Sequence, residues 1–131
     1  MDPHAELPDG NPKTVHGTSK PGVEGVPAAP LFMVGEVMRF GAAKYGLTNW
    51  RHEPISASVY YNAAMRHILS WWDGENLDNE SGLPHLAHAV ACLMIIMDAR
   101  LSDDLNDDRP SAGLTSTYLG SRTRYLERQK P

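Results

Sequence analysis

Apolar residues recur at helical spacing in three stretches of this chain, and no segment shows the alternation of a half-buried strand. Pro30 suits the first turn of a helix. The following LFMVGEVMRFGAAKYG puts Met33, Val37 and Phe40 on one face, with Val34 and Met38 beside it. Gly41 and Gly46 weaken the end of this helix, and GLTNWRHEP reads as a loop running into Pro54. A second helix is predicted from about Ala57 to Asp73, with Ser56 as its N-cap. In it Tyr61, Met65, Ile68 and Trp72 form the stripe expected to meet the core, while Tyr60, Ala64, His67 and Trp71 form another that Glu75 prolongs. Asp73-Gly74 and Ser81-Gly82 mark a turn. A third helix follows from Pro84 to about Leu101; His85, His88 and Cys92 share one of its faces. It is apolar nearly all round, so it is expected to be buried on most sides, partly by another subunit.

The ends read differently. Residues 1–30 are rich in Pro, Gly and polar side chains and predict an irregular arm. From Ser102 the chain carries an acidic cluster (Asp103, Asp104, Asp107, Asp108) and closes on a basic one (Arg122, Arg124, Arg128, Lys130), with a short helix expected over LTSTYLGSRTRYLERQ. The organisation is thus an arm over 1–30, an all-α helical domain over 31–101 and a tail over 102–131. Three such helices make a thin core, so a homo-oligomer, dimer or tetramer, is expected.

Composition narrows the function classes. At 131 residues, with 41% hydrophobic and 21% charged residues, the chain is one globular domain rather than a disordered segment. A net charge of -4 gives no global field toward nucleic acid, so neither nucleic acid nor membrane is an expected partner. The one cysteine, Cys92, excludes a disulfide framework or a Cys-rich zinc site and suits a reducing compartment. The first ten residues lack the order of a signal peptide, and the apolar run from Ala89 to Met97 is too short to cross a bilayer. A cytoplasmic protein is expected.

The candidate chemistry gathers around the turn. Glu75 and Asp78 stand three apart with Glu80 close by, and a divalent cation relieves the repulsion of such carboxylates. His85 and His88 are at i, i+3, facing His67 on the preceding helix, where imidazoles either ligate metal or shuttle protons. In GAAKYGLTNWR, Lys44, Asn49 and Arg51 offer donors and Trp50 and Tyr45 offer aromatic faces: charge for phosphates, a flat ring for a base. Arg66 is either a phosphate ligand or an ion-pair partner of the acidic turn, and Glu36 is either a ligand, a supporting group or an exposed helix residue.

Together the order GA-x-KYG-x-x-NW, then RH, then W-x-x-GE-x-x-D-x-ESG-x-x-HLAHA resembles the phage-type dATP/dGTP diphosphohydrolase domain over about Phe40 to Met97. That domain is a branch of the MazG-like nucleotide pyrophosphohydrolases whose dGTP-preferring members are called MazZ-like. The resemblance implies a MazG-like helical hairpin bundle completed by homo-oligomerisation, with 31–101 as its catalytic domain. It also implies Mg²⁺ or Mn²⁺, and cleavage of a purine deoxynucleoside triphosphate to monophosphate and pyrophosphate, serving nucleotide-pool control in a phage. The wider superfamily carries Glu-x-x-Glu and Glu-x-x-Asp ligand motifs. Here His85-Leu86-Ala87-His88 stands in the second place, and no carboxylate lies around Ala63 to His67, where the first belongs.

The expected site therefore has Glu75 and Asp78, with Glu36 and His85 or His88, holding two or more Mg²⁺ or Mn²⁺ ions, since hard cations prefer oxygen. Lys44, Arg51 and Arg66 neutralise the pyrophosphate, Trp50 or Tyr45 stacks on the base, and Asn49 reads its edge. His67 is a proton shuttle or orients a ligand, with Glu75 the carboxylate on which turnover depends. The competing expectations are a house-cleaning pyrophosphatase for non-standard nucleotides and a non-catalytic, metal-stabilised helical oligomer.

Overall fold

The computed structural model describes residues 9–131; the first eight residues of the expected arm, and the signal-peptide reading made from them, lie outside the described part. Five helices carry the fold: α1 (Pro12–Gly17), α2 (Ala28–Tyr45), α3 (Ala57–Trp72), α4 (His85–Leu101) and α5 (Thr115–Arg128). A 3₁₀ turn (Asn49–Arg51) precedes α3, and two short strands, β1 (Ile55–Ser56) and β2 (Leu105–Asn106), pair in parallel with Ile55 opposite Leu105. The chain is all-α in class. The strand pair is two residues long, too short to leave an alternating pattern in sequence.

The arm is not wholly irregular. Asn11 caps α1 by accepting from the Lys13 N–H at 2.9 Å, and Pro12 fills the first helical position. The long helices begin and end close to their expected bounds, but Ser56 caps α3 by position only; its hydroxyl makes no bond to the helix. The free N–H of Ser58 is met instead by Asp108 Oδ1 at 2.8 Å, and Asn106 Nδ2 donates to Ser56 Oγ at 3.0 Å. Residues just beyond α4 thus complete the start of α3.

Helices α3 and α4 form an antiparallel hairpin, and α2 packs on α4. A core cluster joins Val34 and Val37 of α2 to Ala87 and Ala91 of α4, with Met38 and Leu83 against it. Here one expectation is corrected: Tyr61 and Trp72, placed in the core stripe of α3, are exposed, while Ala57 and Ala64 are buried. Small residues let two helix backbones approach closely, so the contact face of α3 is the one carrying Ala64 and His67; of the bulky stripe Met65 and Ile68 are half-buried, and Tyr61 and Trp72 are left outside. No large side chain among the described residues is fully buried.

Candidate functional site

The turn between α3 and α4 is shaped by Asp78. Its Oδ2 accepts from the backbone N–H of Glu80 at 3.1 Å and of Ser81 at 3.0 Å, while its own N–H and C=O bond to Leu83 and Gly82. Gly74 (φ 102°) and Gly82 (φ 70°) take the left-handed conformations the turn needs. Burial acts to raise the Asp78 pKa, but the Ser81 hydrogen bonds and His88 outweigh it, and the net direction is down.

Three imidazoles meet beside this turn. His67 Nδ1 and His85 Nδ1 stand 2.8 Å apart, and His85 Nε2 lies 2.6 Å from Glu75 Oε1. The rings of His67 and His88 stack at 4.5 Å, and Phe40 meets His88 edge-on at 6.3 Å. His88 Nε2 is 2.7 Å from Ser81 Oγ and 4.0 Å from Asp78 Oδ2. Burial lowers the pKa of both His67 and His88, each further lowered by neighbouring imidazoles. Neutral rings present lone pairs, which a metal ion requires. Ligand atoms of His67, Asp78 and His85 all lie within 4.8 Å of one another.

From this cluster a trough of about 470 Å³ extends along the hairpin. Its α3 side is Tyr60, Ala63, Arg66 and His67; its α4 side is His88, Ala91, Cys92 and Ile95; the C-terminal part of α2 from Val37 and the loop through Trp50 close the third side. Lys44, Asn49, Trp50, Arg66, His67, Asp78 and His88 therefore share one cavity. Lys44 pairs with Glu80 and sits 4.8 Å over the Phe40 ring, whereas Arg66 has no carboxylate partner among the described residues. Glu36 is exposed on α2 and does not line the trough. Glu75 and His85 are outside the lining, with Glu75 engaged by the buried His85. Arg51 is also outside the lining, its guanidinium bound to Asp98.

Asp98 and Ser81 are the contributors that sequence reading passed over. Asp98 is the one acid within the apolar α4, and a carboxylate on such a helix signals a specific partner. Ser81 carries no signal beyond belonging to a turn.

The donor set suits a divalent cation of intermediate softness. Two imidazole nitrogens and a carboxylate match Mn²⁺ better than Mg²⁺, which favours oxygen alone. Glu75 on the far nitrogen of His85 is the support that metal-bound histidines commonly have.

A family model described as dATP/dGTP diphosphohydrolase, N-terminal, matches residues 10–109. A dATP/dGTP diphosphohydrolase of Salmonella phage PMBT28 is 36% identical over 76 residues, covering 58% of this chain and 26% of the relative. The chain thus spans about a quarter of the length of the curated relative it matches, at 26%. No solved structure matches. Among the described residues no helix is long and apolar enough to cross a membrane.

Proposed function

The chain belongs to the dATP/dGTP diphosphohydrolase N-terminal family, and from that premise we propose that it hydrolyses a purine deoxynucleoside triphosphate, dGTP foremost, to the monophosphate and pyrophosphate. The observation that supports this most is the trough joining an imidazole–carboxylate cluster to cationic and aromatic groups. By helix rise its α4 side, from His88 to Ile95, is roughly 10 Å long, enough for phosphates at one end and a base at the other. A phosphate-only or metal-only protein has no need of the aromatic end.

His67, Asp78 and His85 are the residues that would hold Mn²⁺ or Mg²⁺. When bound, such an ion supplies positive charge to phosphate oxygens and acidifies water in contact with it. Glu75 fixes the tautomer of His85 by accepting its Nε2–H. His88, in contact with Ser81 Oγ, is the imidazole left to take the proton of the attacking water. Water oxygen bonds to the α-phosphorus as the bond to the bridging oxygen breaks, and pyrophosphate leaves with that electron pair. Lys44 exchanges Glu80 for the leaving phosphates, and Arg66 offers a second cation. Trp50 or Tyr45 covers the base.

A homo-oligomer accompanies this reading. Leu86, Val90, Leu93 and Met97 form an exposed stripe on α4, and Tyr61, Leu69 and Trp72 stay exposed on α3. So much uncovered apolar surface beside so small a core suits burial against a second copy.

Pyrophosphate release from each dNTP and NTP, with Mn²⁺, Mg²⁺ or EDTA, tests the proposal. Metal-dependent conversion of dGTP to dGMP is expected. Turnover confined to non-standard nucleotides would replace it with a house-cleaning role, and metal-stabilised protein without any turnover would sink it.

A further inference from the structure

Residues 44–50, together with the α2 residues from Val37 to Ala42, form the side of the trough that the helical hairpin does not supply, and the strap from Lys44 to Arg51 is tied at both ends. Lys44 pairs with Glu80 at the turn; Trp50 and Arg51 bond to Asp98. On α4, His88 and Asp98 are separated by roughly 15 Å of helix rise, so the two ties hold opposite ends. Between them the backbone bends at Gly46 (φ 87°) and Thr48 (φ 53°) before entering the 3₁₀ turn.

The tie at Asp98 uses the whole carboxylate. Oδ2 accepts from Trp50 Nε1 at 2.7 Å and from Arg51 Nε at 2.7 Å; Oδ1 accepts from Arg51 Nη2 at 3.0 Å. A forked pair of this kind fixes orientation, and with the Arg51 side chain half-exposed the ion pair itself adds little to stability. It serves geometry more than folding. It also occupies the one polar atom of the Trp50 side chain, leaving the indole face for a ligand. Asn49, the residue before Trp50, and Tyr60 on α3 both line the trough.

We propose that Asp98 is a positioning residue for nucleobase recognition: it latches Trp50 and Asn49 at the base end of the trough, with Arg51 as the other half of the latch. The identity of the ligand rests on the pyrophosphohydrolase reading; the latch itself rests on the hydrogen bonds. The phosphate end, at His67, Asp78 and His88, is untouched by it.

The test compares two ligands in the full chain with Mn²⁺ by calorimetry: the non-hydrolysable α,β-imido analogue of dGTP, and inorganic tripolyphosphate. Asp98→Ala is expected to weaken the analogue about tenfold or more, as misplacement of a positioning group does, while leaving tripolyphosphate affinity unchanged. Arg51→Ala is expected to give the same split. Unchanged analogue affinity in Asp98→Ala would overturn the latch, and so would equal weakening of both ligands, which marks a general structural role. Wild-type protein that binds the analogue without turning over any dNTP would overturn the hydrolase reading and leave the latch standing. Wild-type protein that binds no analogue would overturn both.

Discussion

His67 and His85 face each other Nδ1 to Nδ1 at 2.8 Å. Two ligands at right angles on one ion, each about 2.1 Å from it, stand about 3 Å apart, so the pair is already spaced as neighbouring ligands. Without an ion, one ring must donate to the other. Glu75 settles which: at 2.6 Å it takes the Nε2–H of His85, so His85 Nδ1 accepts and His67 Nδ1–H donates. Glu75→Gln keeps an acceptor but removes the carboxylate charge that holds the His85 ring in place. The Mn²⁺ concentration for half-maximal turnover is expected to rise about 10–100-fold, the usual effect of losing such a partner. A metal titration of pyrophosphate release checks it, and an unchanged titration would place Glu75 outside the metal's support.

Mixed nitrogen and oxygen donors lead to a second expectation. Mn²⁺ should raise the melting temperature at lower concentration than Mg²⁺, and Asp78→Asn should diminish the effect of both, since it removes the one charged oxygen of the set. The measurement is a thermal shift against each ion. Equal responses of wild type and Asp78→Asn would move the site elsewhere.

Asp98 gives a pH signature. Arg51, then Trp50, hold its pKa down to about 2 in the folded protein, against about 3.9 unfolded. A depressed carboxylate pKa contributes stability that is complete above the unfolded value and disappears as pH falls through the folded one. The latch should therefore persist from neutral pH to about 4 and release toward about 2. The Trp50 indole N–H resonance should hold its shift over the upper range and move only in the lower one, with Trp71 and Trp72 as internal references. A midpoint near 4 would show that Arg51 does not hold the carboxylate.

The helices were legible because each carries a period and a stop: Pro before α4, Gly after α2 and α3. The faces were less so. Ranking stripes by bulk puts Tyr61 and Trp72 inside, but close helix contact selects Ala57 and Ala64, and small side chains leave a weak sequence signal. Helix α1, six residues long, is too short to show a period, so the arm read as irregular. At the site, the imidazoles at i, i+3 facing a third across a hairpin could be read directly. Asp98 and Asp108 could not, since each acts on a group about fifty residues away in sequence. The capping bond of Asp108 predicts that Asp108→Ala lowers the melting temperature without altering metal affinity.

Ala64 offers a test of the helix contact itself. It is 1% exposed on the face of α3 that meets α4. A leucine there has no room unless the helices separate, and such overpacking typically costs about 1–3 kcal/mol. Ala64→Leu should lower the urea midpoint accordingly. Tyr61→Leu, on the exposed stripe, should leave it nearly unchanged in conditions where the chain is monomeric. The reverse ranking would return the core to the Tyr61 face.

The exposed stripe of α4 decides the oligomer. Val90 is 43% and Leu93 43% exposed on a helix whose opposite side is packed. A carboxylate at either position remains solvated in a monomer but is buried without a partner in an assembly. Val90→Glu with Leu93→Glu should therefore leave the helical content intact and convert a multiple of 14.4 kDa to that mass, measured by light scattering after size exclusion. Turnover should fall only if a second copy is needed to complete the trough. Wild-type protein already at the monomer mass would end the case for a covered α4 face.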